Sequence, residues 1–164
     1  PYLARLFADA GAEVVECLTL PDDPQVLATH LERWYASGLD MIVTTGAVSM
    51  GRYDFVPDAL AATGATIHFH KLRMRPGKPL LFATAPGGTL IFGLPGNPIS
   101  STVGARFFVD AALRAMSGRS AETPVMLPLA DEVRKKAGFC MIQKAVCSLA
   151  LDGRLSVRAL KGQE

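Results

Sequence analysis

The sequence predicts an α/β fold: a three-layer sandwich around a mostly parallel sheet, followed by a small, incomplete β domain. Two patterns carry this reading. Up to residue 118, helical and extended segments alternate, and the extended ones include continuous apolar runs, as strands buried on both faces require. Beyond Arg119-Ser120-Ala121-Glu122-Thr123-Pro124 the helical period vanishes and only strand-like runs remain.

Leu3, Leu6, Phe7 and Ala10 recur at helical spacing, and Gly11 ends that run. Residues 14–18 read as a buried strand. Pro21-Asp22-Asp23-Pro24 passes from loop to helix with an aspartate available as N-cap. Val26, Leu27, Leu31 and Trp34 then form an apolar face that stops near Ser37-Gly38. Residues 40–45 are a second strand, 46–51 a glycine-containing loop, and 54–62 a short helix ended near Gly64. Residues 65–75 form a third strand. Residues 80–83 and 90–92 flank Pro86-Gly87-Gly88 as a hairpin. Val103, Phe107, Ala111 and Leu113 carry a longer helix to Gly118.

Past the boundary, residues 125–133, 139–151 and 155–160 read as strands, the last two joined by the hairpin signal Asp152-Gly153. The expected domains are therefore 1–120 and 121–164. The second is too short for a core of its own and is expected to lean on a neighbour. The first helix lacks a preceding strand, so a chain cut at both ends is expected.

With 164 residues, 49% hydrophobic and 20% charged, the composition is that of a soluble globular chain. A net charge of +2 is too small to argue for nucleic acid. No apolar run approaches the ~20 residues that cross a bilayer, and no charged leader opens the sequence. Cys17, Cys140 and Cys147 have no metal spacing and read as buried thiols in a reducing, cytoplasmic setting.

Ligands of open α/β sheets bind outside the carboxyl ends of the strands. Four loops fall there: 20–24, 45–54, 75–79 and 94–98. In Leu94-Pro95-Gly96-Asn97-Pro98 two prolines nearly fix two φ angles around a permissive glycine. A helix starting at or after Asn97 would aim N–H groups and its positive end at a ligand. Thr44-Thr45-Gly46-Ala47-Val48-Ser49-Met50-Gly51 offers hydroxyls and close backbone approach, without the Gly-Lys-Ser/Thr of a P-loop. Strand alternation places Lys71, Arg73 and Arg75 on one face, and Lys78 follows on a Pro-Gly turn. These cations suit a polyanion, or else a solvated edge. Asp22 and Asp54, at two strand ends, suit a divalent ion such as Mg²⁺, or else cap two helices. His30, His68 and His70 have no zinc spacing.

Residues 44–54 (Thr44-Thr45-Gly46-Ala47-Val48-Ser49-Met50-Gly51-Arg52-Tyr53-Asp54), Arg75-Pro76-Gly77-Lys78-Pro79 and Leu94-Pro95-Gly96-Asn97-Pro98, in this order, resemble one family. It is the molybdopterin molybdenumtransferases, bacterial MoeA and the gephyrin E domain. The resemblance covers residues 1–118 as the molybdopterin-binding domain and 125–164 as the start of the C-terminal β domain. It implies cleavage of adenylylated molybdopterin, with insertion of molybdate and release of AMP, dependent on Mg²⁺. It also implies catalytic and metal-binding roles for Asp22 and Asp54. Substrate would be held by Thr45, Gly46, Ser49, Gly51, Lys71, Arg75, Lys78, Pro95, Gly96, Asn97 and Pro98. A homodimer and contact with a molybdopterin adenylyltransferase are further implications. The sequence departs from the family at Ala47, where Gly-Gly is usual, and at Arg75, where lysine is usual. The alternatives are a molybdopterin adenylyltransferase, a catalytically inactive binding module, and a related nucleotide hydrolase that would lack a reason for the Asn-Pro turn.

Overall fold

The computed structural model describes residues 2–48 and 54–160. Helices α1 (Tyr2–Asp9), α2 (Pro24–Ala36) and α3 (Val56–Ala62) intersperse with strands β1 (Met41–Thr45) and β2 (Thr66–His70). The short β3 (Met74–Arg75) and the hairpin β4 (Leu81–Thr84) and β5 (Leu90–Leu94) come next. A continuous helical stretch follows: α4 (Pro98–Gly104), a π-helical turn (Ala105–Val109) and α5 (Asp110–Met116). The remainder holds β6 (Cys140–Met141), β7 (Ala145–Leu149) and β8 (Leu155–Ala159).

The main sheet has the order β1-β5-β4-β2. β1 and β5 are parallel, while β4 is antiparallel to both β5 and β2, so β1, β5 and β2 share one direction and only the hairpin strand β4 is reversed. Side chains alternate between two cores. Ile42, Leu81, Ala83 and Ile91 pack with Leu27, Leu31, Ala59 and Leu60 of α2 and α3. Phe92 and Leu94 pack with Ala105 and Val109, and with the partly buried Leu3, Leu6 and Phe7 of α1. The predicted sandwich is thus realised as helix, sheet and helix.

Several expectations change. Residues 14–18 form no strand. Val14, Val15 and Leu18 are exposed, and a groove of about 1390 Å³ separates residues 12–20 from β1, so no ladder partner lies within reach. β1, expected inside the sheet, is at its edge, and only Ile42 is fully buried. The third strand stops at His70 because Lys71 takes a left-handed φ of 70°; β3 pairs instead with β6. Lys71, Arg73 and Arg75 therefore do not share one strand face. Phe107 and Ala111 are exposed, because Ala105, Val109 and Ala112 of the continuous helix face the sheet.

Residues 125–133 make no strand, only a bridge from Leu129 to Val157. The β7–β8 hairpin forms across Asp152-Gly153, with Gly153 at φ 81°. It has no second layer: Val146, Leu149 and Leu155 are exposed. Cys17, Cys140 and Cys147 are exposed thiols for the same reason, since each sits on a segment nothing covers. Among the described residues no helix is long and apolar enough to cross a membrane.

Residues 12–20 are tied to α2 through one side chain. Glu16 Oε2 accepts from Trp34 Nε1 at 2.5 Å and from Arg33 at 2.7 Å. The Trp34 hydrogen bond, then that of Arg33, hold the Glu16 carboxyl below its usual range. A carboxyl lowered by folding stabilises the fold above its unfolded pKa, and that contribution is lost as pH falls through the folded value. Emission from the single tryptophan should therefore shift once pH falls below the ordinary glutamate range. The same titration of Glu16→Ala should lack that step.

Candidate functional site

Parallel β1, β5 and β2 bring their carboxyl ends to one edge of the sheet. Pairing sets Thr44, Gly93, Leu81 and His70 in one row across four strands. Three strand spacings make that row about 14 Å wide. Above it lie Thr45 and Leu94, and the Lys71 N–H bonds to the Leu80 carbonyl.

The loop after β1 crosses this edge. Gly46 and Ala47 are both left-handed, with φ of 87° and 52°. The Gly46 N–H donates to the Leu94 carbonyl at 2.9 Å. The Ala47 carbonyl accepts from the Val56 N–H at 3.3 Å, and the Val48 carbonyl lies 2.8 Å from His70 Nε2. Both carbonyls therefore point into the protein. Because the peptide is planar and trans, the Val48 N–H points the opposite way from the Ala47 carbonyl. Val48 itself is buried over β5. A Cβ on Gly93 would lie 2.8 Å from Val48 Cγ1 and 3.2 Å from Leu81 Cβ, so only glycine lets the loop cross.

The second loop, Leu94-Pro95-Gly96-Asn97-Pro98, packs against the first. A Cβ on Gly96 would stand 3.5 Å from Gly46 Cα. Asn97 is the N-cap of α4, and its Oδ1 accepts from Ile99 N at 3.0 Å and Ser100 N at 3.2 Å. Those N–H groups are thus satisfied by Asn97 rather than presented to a ligand, which corrects the sequence expectation. Ser101, buried, donates its hydroxyl toward the Pro95 and Asn97 carbonyls and pins the turn from below.

The third loop carries the cations. Leu72 N donates to the Lys78 carbonyl and Leu80 N to that of Gly77, closing a tight bend. A Cβ at Gly77 would approach Ser100 O and Val103 Cγ1, both at 3.8 Å, so the bend abuts α4 just past Asn97. Lys71, Arg75 and Lys78 are all exposed. The Arg75-Pro76 peptide is cis.

Of the two aspartates, neither occupies a helix cap. Asp23 caps α2, accepting from Gln25 N at 2.8 Å and Val26 N at 3.4 Å, and Phe55 stands at the cap of α3. Asp22 lines the large groove together with Thr44, Thr45, Gly46, Ala47, Phe55, Gly96 and Pro98. Asp54 directly precedes Phe55. Thr44 Oγ1 is a buried hydroxyl with no protein partner. Among the described residues no three His, Cys, Asp or Glu side chains cluster as a metal cage. Ser49 and Gly51 lie outside the described residues.

Sequence reasoning missed His70, set aside for want of a metal partner, and Gly93, whose importance depends on a residue that packs across it. A histidine and a glycine at strand ends carry no local pattern that would single them out.

The fold and the site define an α/β domain whose large groove runs along β1 and reaches the carboxyl end of the sheet at Thr45 and Gly46. Residues 1–115 match the family described as a probable molybdopterin binding domain, and the chain belongs to that family. It is 45% identical over 140 residues to a molybdopterin molybdenumtransferase of Synechococcus elongatus, covering 85% of this chain and 34% of that protein. A second molybdopterin molybdenumtransferase, from Nostoc sp., is 38% identical over 118 residues, 71% of this chain and 27% of the relative. The chain thus spans about a third of the length of these curated relatives. A molybdenum cofactor biosynthesis protein of Pyrococcus furiosus shares the fold with a TM-score of 0.69 at 21% identity, over 98% of this chain and 50% of that one.

Two substitutions test the crossing. Gly93→Ala should cost about 1–3 kcal/mol by overpacking, read as a lower urea midpoint. Ala47→Gly removes a side chain from a left-handed residue and should stabilise by up to about 1 kcal/mol in the same measurement.

Proposed function

We propose that this chain is the molybdopterin-binding unit of a molybdopterin molybdenumtransferase, which inserts molybdate into adenylylated molybdopterin and releases AMP. The observation that carries the reading is the single groove in which Asp22, Thr45, Gly46, Gly96 and Pro98 meet, from three regions distant in sequence. An edge about 14 Å wide suits an elongated ligand with a pyrophosphate between two ring systems. The names of the relatives supply the substrate.

In this reading the Gly46–Val48 backbone and the Thr44 and Thr45 hydroxyls receive phosphate oxygens. Ser49 and Gly51 extend that contact. Lys71, Arg75 and Lys78 neutralise the diphosphate. Pro95, Gly96, Asn97 and Pro98 form a stiff wall against which a ring system is oriented. Stiffness there means little ordering entropy is lost when the ligand binds. Asp22 and Asp54 would hold Mg²⁺. Two carboxylates suit that ion, which takes oxygen ligands, keeps several waters and completes its shell with substrate phosphates. When bound, it supplies charge neutralisation at the phosphate that departs as AMP. The exposed hairpin and groove favour assembly as a homodimer. Contact with an adenylyltransferase would deliver the labile substrate directly, in a cytoplasmic setting.

The test is a chimera in which this chain replaces the matched segment of the Synechococcus elongatus relative. Supplied with adenylylated molybdopterin, molybdate and Mg²⁺, it should form molybdenum cofactor and AMP. Asp54→Asn should lower turnover at least about tenfold while the protein stays folded. A folded, inactive chimera whose ligand affinity ignores both Mg²⁺ and Asp54→Asn would instead identify an inert binding module.

A further inference from the structure

We propose that His70 is the positioning residue of the site, holding the loop after β1 in its ligand-ready shape through a hydrogen bond from Nε2 to the Val48 carbonyl. The proposal rests on the reading above for the identity of the ligand, but not for the anchoring itself.

The geometry begins with a bulge. In the β2–β4 ladder Ile67 pairs with Ala83 and Phe69 with Phe82, so two residues of β2 advance against one of β4. In a regular strand Ile67 and Phe69 would point to the same face. Here Ile67 packs against the core beneath α2 and α3, and Phe69 joins the opposite core. The extra residue therefore inverts everything that follows it, and His70 is turned to the face on which Val48 lies. Bulges beside binding sites commonly re-aim a side chain in this way.

The contact is selective in its chemistry. A carbonyl only accepts, so Nε2 must carry a proton. The bond is 2.8 Å long and half-buried, and it spans 22 residues of sequence. It also completes a set. Leu94 holds the loop from β5, Val56 from α3, and His70 from β2. Without the last, the Val48 carbonyl would have to turn toward solvent to find a donor, and the adjoining peptide planes would turn with it. The backbone of Gly46, Ala47 and Val48 would then lose the shape its three hydrogen bonds now set. His70 thus acts through the loop and touches no substrate.

Three measurements on the full chain decide this. The ¹⁵N shifts of the His70 imidazole in the wild-type protein at neutral pH should show a proton on Nε2; a neutral ring protonated only at Nδ1 overturns the proposal, with no variant required. His70→Phe keeps a ring but loses the donor. Hydrogen exchange at the Val56 amide, which bonds the neighbouring carbonyl, should quicken roughly tenfold, and affinity for adenylylated molybdopterin with Mg²⁺ should fall roughly tenfold. His70→Gln, whose amide reaches the same point, should restore both to within about twofold of wild type. Wild-type exchange in the Phe variant, or a Gln variant as impaired as the Phe variant, also overturns it. If the wild-type chain fails to bind the ligand, the functional reading falls, while the imidazole shifts and Val56 exchange still decide the anchoring role.

Discussion

Everything at the candidate site depends on one close approach, that of Val48 to the bare backbone of Gly93. Because residue 93 carries no side chain, the loop leaving β1 can lie across β5 and β4 instead of rising away from the sheet. The crossing buries Val48 in the same core as Val56 and Leu60, which fixes the start of α3. It bends the chain sharply at its start, where two successive residues are left-handed, one of them an alanine. It puts Gly46 beside Gly96, so the two loops form one wall. And it carries Val48 to the neighbourhood of β2, where His70 meets it. A methyl group at residue 93 would press on Val48 and strain these contacts together.

The features legible in the sequence were those whose meaning is local. Apolar runs gave the strands of a sandwich, and Asp152-Gly153 gave a hairpin, because turn and strand preferences reside in a few adjacent residues. The Pro95-Gly96-Asn97-Pro98 turn was legible for the same reason. What local pattern could not show was partnership. Residues 14–18 have strand composition, but a strand exists only where another edge meets it, and the groove beside β1 keeps the two apart. Cys17 and Cys147 have the residue type of a buried site yet lie on segments without cover. Pro21-Asp22-Asp23-Pro24 offered two possible caps, and only geometry assigns the cap to Asp23. The bulge in β2 has no sequence signature at all, so the face presented by His70 was not accessible in advance.

The open edge of β1 and the bare hairpin are two expressions of one condition. Edge strands in stable proteins are usually blunted by charge, proline or a covering element. β1, Met-Ile-Val-Thr-Thr, has none of these and reads as an interior strand. Its Thr44 hydroxyl is buried yet unbonded. The β7–β8 hairpin likewise shows apolar side chains to solvent. Both surfaces have the apolar composition of interfaces.

The capping pattern decides how an anion would be held. Helix N-termini are ready anion sites only while their N–H groups are unmet. Here Asp23 satisfies those of α2, and Asn97 satisfies two of α4. In the proposed reading, anion binding would therefore fall on the loop backbone and on Lys71, Arg75 and Lys78. Those cations are exposed, so each contributes little by itself and less as salt rises. Backbone N–H groups, by contrast, are fixed in direction and carry no side-chain entropy to lose. Orientation of a bound phosphate would thus be set by the shape of the loop, with the cations supplying attraction at longer range. A site built this way is only as accurate as the hydrogen bonds that hold its backbone, which is why the partners of Gly46, Ala47 and Val48 matter more to it than any single charge.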